Sequence, residues 1–163
     1  MKKPPYLLSG IILFGFGIYF LLQYYQLSLF QGFYSWPTLF VIVGIAFLVN
    51  GYAGKDYSFI FPGVLLTGIG LHFHITQHLA VTIDISGIFL LLISIGLFLT
   101  YVKTGNGLFQ GILFLAISLL LLFFDKLKEG LLKNGQSIAW IDQAWPYLFI
   151  VFGLYFLFFH KRK

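Results

Sequence analysis

Six stretches of this chain, residues 6–25, 37–53, 59–74, 85–102, 108–124 and 146–159, contain no Asp, Glu, Lys or Arg. A helix needs about 20 predominantly apolar residues to cross a bilayer, with a range of roughly 17 to 25. Water-soluble domains carry about 25% charged residues; this chain carries 9%, and 60% of it is hydrophobic. So much apolar surface cannot be hidden from water by folding. The expected fold class is therefore all-α, a polytopic membrane helix bundle with six transmembrane helices. The first run follows "MKKPPY" and resembles a secretory leader, but no A-x-A-like cleavage site ends it, and a retained first span is expected.

The charged residues lie between the runs and set a direction. Lys2, Lys3, Lys55, Lys103, Lys161, Arg162 and Lys163 all fall on one side of such a bundle. The opposite side receives Lys126, Lys128 and Lys133, offset by Asp125, Glu129 and Asp142. Basic residues stay on the cytoplasmic side. Both termini are thus expected in the cytoplasm of a bacterial plasma-membrane protein. In this setting the formal net charge of +5 reports topology and does not point to nucleic acid. With no cysteine, disulfides, thiolate catalysis and cysteine metal sites are excluded.

The runs also resemble one another. "WPTLFVIVGIAFL" (36–48) returns as "WPYLFIVFGLYFL" (145–157), identical at seven of thirteen positions. "SGIILFGFGIYF" (9–20) aligns with "PGVLLTGIGLHF" (62–73) and more loosely with "QGILFLAISLLL" (110–121). The reading is one membrane domain of three tandem, parallel-oriented hairpin repeats, about 6–53, 57–102 and 108–160, with an outer loop at 125–145. Inverted repeats around broken helices, common in secondary transporters, are not seen.

Lipid tails are as apolar as Leu, so membrane helices associate through close packing at small residues. Gly10, Gly15, Gly17, Gly44, Gly63, Gly68, Gly70, Gly96, Gly111 and Gly153 are the expected helix-packing positions. Indole favours the membrane–water interface, and Pro fits the first helical turn, where its missing N–H costs nothing. Trp36, Pro37, Trp140, Trp145 and Pro146 are read as interfacial anchors, with Ser35 a candidate cap for the second span.

Little in the sequence carries chemistry. Intramembrane ionisable residues mark functional sites, yet none lies mid-span, which argues against proton-coupled transport. There is no P-loop, no G-x-S-x-G and no H-E-x-x-H. Ser86, Ser94 and Ser118 are expected to bond a carbonyl or pack closely. "HFHITQH" places His72, His74 and His78 near the end of the third span, with Asp84 beyond. Water-satisfied interfacial histidines are the plain reading; a zinc or copper site and a pH sensor are the alternatives. No cofactor is implied. The 125–145 loop, with Leu127, Leu131, Leu132 and a Glu129–Lys133 pair, is expected to lie as a short helix on the membrane surface or to dock a partner.

Paired short spans that open on Trp-Pro and run through aliphatics into a central Gly resemble the LiaI/LiaF-type transmembrane region of Gram-positive bacteria. "WPTLFVIVGIAFL", "WPYLFIVFGLYFL" and "FPGVLLTGIGL" carry the likeness. The chain differs from the sensor-inhibiting members in having three hairpins where two are expected, and in showing no soluble β domain. The resemblance implies a non-enzymatic envelope protein, a membrane anchor or regulatory subunit for a partner protein in envelope stress or biogenesis. Its expected partners are membrane lipids, another membrane or membrane-associated protein and a second copy of itself, not nucleic acid. The alternative is a small permease or channel component for a neutral or lipidic solute. A lipid-modifying enzyme would have only His72, His74, His78 and Asp84 to work with.

Overall fold

The computed structural model describes residues 6–79, 85–124, 126, 147, 150, 151, 153 and 154. Through Leu122 they form one compact unit with five α-helices. These are α1 (Leu7–Tyr24), α2 (Trp36–Tyr52), α3 (Ile60–Leu79), α4 (Ile85–Thr104) and α5 (Leu108–Leu122), with a short 3-10 turn, Tyr57–Phe59, leading into α3. No strand occurs among the described residues. Three helical stretches, Leu7–Tyr24, Tyr57–Leu79 and Ile85–Thr104, are long and apolar enough to span a bilayer. Helices α2 and α5 are equally apolar but shorter, at 17 and 15 residues.

The breaks between helices have local causes. Backbone in the left-handed region ends a helix by turning its last carbonyls back on themselves. Gln26 (φ 54°) stands just after α1 and Lys55 (φ 58°) just after α2. Gly105 (φ 75°) and Gly107 (φ 104°) make the turn from α4 to α5, with the Gly105 N–H donating to the Tyr101 carbonyl at 2.8 Å. Pro62 falls in the first turn of α3, as expected of a helix start. Helix α3 runs five residues beyond the expected end at His74, through Ile75, Thr76, Gln77, His78 and Leu79. Polar residues end an apolar run without ending a helix.

Each helix packs antiparallel to the next. In the α2–α3 seam, Pro37 lies against Gly70, Gly44 against Gly63 and Thr67, and Gly51 against Ile60. In α3–α4, Gly68 meets Leu92 and Gly96 meets Phe61; in α4–α5, Gly87 meets Leu122 and Gly111 meets Phe98. The most extensive seams are α2–α3 and α4–α5, and α1–α2 is the slightest. This differs from the expected grouping, which pairs α1 with α2 and α3 with α4. Glycines on both helices of the α2–α3 and α4–α5 seams, such as Gly44 and Gly63 in the first and Gly87 and Gly111 in the second, let those backbones approach closely. The described residues thus show an all-helical bundle but not the six spans or the tandem hairpins as units.

Among the described residues, most of the buried positions carry small side chains, with Ile60, Val64 and Tyr19 among the larger exceptions. Buried positions include Ala46, Gly44, Gly51, Gly63, Gly70, Gly87, Ser94, Gly96, Gly111 and Ser118, whereas Leu13 and Phe14 are each 71% exposed. This is a bundle with its bulk turned outward, as lipid solvation permits. Two hydroxyls cross the α4–α5 seam reciprocally. Ser94 donates to the Gly111 carbonyl at 2.8 Å and Ser118 to the Gly87 carbonyl at 2.9 Å. The Thr67 hydroxyl, buried beside Gly44, has no hydrogen-bond partner among the described residues.

Residues from Phe123 onward belong to a second unit. In it, Lys126 stands 5.7 Å over the Phe123 ring. Tyr147, Ile150, Val151, Gly153 and Leu154 have helical backbone and are exposed. The remainder of the 125–145 loop, with Trp140 and Trp145, lies outside the described residues, as do Pro146, most of the sixth span, Asp84, and the basic residues at both ends.

Candidate functional site

Polar and aromatic groups gather at one end of the bundle, where the α1–α2 loop meets the last turns of α3. The loop is tied down at several points. The Tyr34 hydroxyl donates to the Leu27 carbonyl at 2.8 Å, and Ser35 Oγ to the Gly32 carbonyl at 2.6 Å. Thr38 Oγ1, at the start of α2, donates to the Phe33 carbonyl and lies 2.9 Å from His74 Nε2 on α3. With the hydroxyl proton on Phe33, the imidazole Nε2 acts as the donor to Thr38. One threonine thereby joins the loop, α2 and α3.

Rings fill the space around this knot. Phe30 packs edge-on to His74 (5.0 Å between centroids) and His78 (5.5 Å), and Tyr19 of α1 lies within 5.9 Å of Phe33 and 5.6 Å of Tyr34. Water removed by these neighbours, and secondarily Tyr19, hold the Tyr34 phenol above its ordinary value of 10.0, so it is a neutral donor. Beside the knot, Gln31, Gly32, Gln77 and His78 line an open cleft of about 250 Å3. Gly32 has φ +83°, a conformation that favours glycine, and the Gln77 amide oxygen lies 3.8 Å from where a Cβ would stand.

The three histidines are not gathered. His74 is engaged with Thr38, His78 lies by the cleft, and His72 is buried against Phe73. Positions two apart on a helix point to nearly opposite sides, so His72 and His74 diverge. No group of three His, Cys, Asp or Glu among the described residues can hold a metal ion.

Of the expected packing glycines, Gly15, Gly44, Gly63, Gly68, Gly70, Gly96 and Gly111 face a neighbouring helix within contact distance. Gly10, Gly17 and Gly153 face nothing within 4 Å among the described residues. Trp36 is 46% exposed and packs on Phe73 (4.6 Å) and Phe40 (5.2 Å), while Pro37 is fully buried. Ser35 does not cap α2, because its hydroxyl is spent on Gly32. Thr38, Phe30, Gln31 and Gln77 carry no motif that would have singled them out; only the folded loop brings them together.

At the opposite end, the Lys103 ammonium lies 5.6 Å over the Tyr52 ring, so the ends of α2 and α4 are neighbours there, next to Lys55 in the α2–α3 turn.

Apolar helices with small residues inside and bulk outside define an integral membrane protein of several helices. Residues 7–48, which comprise α1 and most of α2, match the LiaI-LiaF-like transmembrane region, so the likeness read from the sequence holds over that stretch. The chain is also similar to the uncharacterized membrane protein YsxD of Bacillus subtilis (strain 168). The two are 28% identical over 161 residues, covering 99% of this chain and 98% of the relative. No solved structure matches.

Proposed function

We infer that this chain is a non-enzymatic, multi-pass protein of the bacterial plasma membrane. It acts by binding, as an anchor or regulatory subunit for a partner protein in envelope stress or envelope biogenesis. The observation that carries this reading is the distribution of groups on the helices. No carboxylate lies on any of the five described helices, and large side chains such as Leu13, Phe14, Phe109 and Ile112 are turned outward. Such a surface offers packing to lipid and to other helices but no acid–base or nucleophilic centre. The match of 7–48 to the LiaI-LiaF-like region supports the same reading. In this arrangement six spans form three successive hairpins, with the lysine end of the bundle in the cytoplasm and the histidine end outside.

Photo-crosslinking in native membranes tests the function. A benzophenone side chain at Phe14 or Ile112 is expected to capture one reproducible protein partner, identified by mass spectrometry. Capture of lipid alone from both positions would overturn the binding role.

A further inference from the structure

The geometry points to the cleft between the α1–α2 loop and the end of α3 as a binding site for an uncharged, hydroxyl-rich headgroup, carried on a membrane lipid. The lining gives the chemistry. Gln31 and Gln77 each bring an amide that both donates and accepts, and His78 brings an imidazole that does the same when neutral. Among the described residues, no Lys, Arg, Asp or Glu lines the cleft. A phosphate only accepts hydrogen bonds and calls for an excess of donors or positive charge; an ammonium only donates and calls for carboxylates. Hydroxyl groups do both, and they match a lining of amides and an imidazole.

The site is held open by bonds that do not involve its lining side chains. Ser35 fixes the Gly32 carbonyl, Tyr34 fixes Leu27, and Thr38 joins Phe33 to His74 one turn below His78. Among the described residues, neither the Gln31 nor the Gln77 side chain forms a hydrogen bond. About 250 Å3 is small beside the roughly 300–1,000 Å3 of ligand pockets and suits a single headgroup ring. The surroundings favour a lipid over a free solute. Leu27 (59% exposed), Leu29 (72%), Ile75 (47%) and Leu79 (65%) on the same loop and helix end offer apolar surface for acyl chains.

The test is native mass spectrometry of the full chain released from nanodiscs. The nanodiscs carry equal amounts of a monoglucosyl diacylglycerol, phosphatidylglycerol and plain diacylglycerol. The glucosyl lipid is expected to be retained at least tenfold over the other two, and millimolar methyl glucoside is expected to compete it away. Gln77→Leu and Gln31→Leu, both at exposed positions that leave the fold intact by circular dichroism, are each expected to reduce retention at least fivefold. Gln77→Glu, which keeps the size and removes the amide donors, is expected to weaken it as well. Equal retention of phosphatidylglycerol or of plain diacylglycerol would overturn the assignment. So would full retention by the two Leu variants, or capture of methyl glucoside with no retention of the lipid.

Discussion

Replacing Gly44 by Ala adds one methyl group at the middle of the α2–α3 seam. That methyl would stand 2.5 Å from the Thr67 backbone nitrogen and 3.0 Å from the Gly63 carbonyl oxygen, and also on the Thr67 hydroxyl. Two of these neighbours are backbone, so no rotamer change relieves the clash. To move from 2.5 Å to the 3.4 Å of ordinary contact, the helices must part by about 0.9 Å. A gap of 0.5–1 Å forfeits roughly a quarter to a half of the dispersion energy of each affected atom pair. Overpacking of this kind costs about 1–3 kcal/mol. Alanine is a better helix former than glycine by about 0.8–1.0 kcal/mol, which offsets part of the loss. The net expectation is a destabilisation of up to about 2 kcal/mol, a factor of as much as roughly 30 in the folded-to-unfolded ratio. Gly70→Ala, whose methyl would meet the Pro37 carbonyl oxygen at 2.6 Å, is expected to behave alike. Gly17→Ala meets no described atom within 4 Å and is expected to be neutral or slightly stabilising. Reversible unfolding in mixed micelles at rising detergent mole fraction, followed by circular dichroism, measures all three. Gly44→Ala and Gly17→Ala unfolding at the same midpoint would refute the close-packing argument for this seam.

Ser94→Ala and Ser118→Ala should each cost about 0.6 kcal/mol, and no more than about 1.7, because interhelical hydrogen bonds in membranes are worth little more; the same unfolding assay reads this, and the double variant should show the approximate sum. The chain has no cysteine, so single cysteines report sidedness directly. Gln31→Cys in intact cells should react with a membrane-impermeant maleimide, and Lys103→Cys only after the cells are opened; the reverse pattern would invert the proposed topology.

The helical character of the chain was legible because each apolar run is both a lipid-solvated surface and a good helix. Among the glycines, Gly44, Gly63 and Gly111 face neighbouring helices, whereas Gly10 and Gly17 face nothing within 4 Å among the described residues. Which helices share the largest seams was not. Repeat similarity groups 6–53 and 57–102, but the largest seams, α2–α3 and α4–α5, are those where small residues of both helices meet, and which glycine faces which neighbour is decided only in the fold. The end of α3 was not legible because hydropathy measures comfort in lipid, whereas Thr76, Gln77 and His78 continue the helix without continuing the apolar run. For the histidines, closeness in sequence says little about direction: the helical turn sends His72 inward and His74 toward Thr38. The loop cleft had no signature, since Gln31 and Gln77 meet only through Thr38, Ser35 and Tyr34.

A bundle with glycine and serine within and leucine and phenylalanine without inverts the familiar rules of tolerance. In a water-soluble protein the exterior accepts charge and the centre guards volume with bulky side chains. Here an outward Leu13 can become Ile or Phe at little cost, yet it cannot become Lys. An inward Ser94 accepts the loss of its oxygen more readily than the gain of two carbons. Attempts to render this chain soluble by painting its exterior with ions would leave few large side chains at its centre, such as Ile60, Val64 and Tyr19 among the described residues, to hold it together in water.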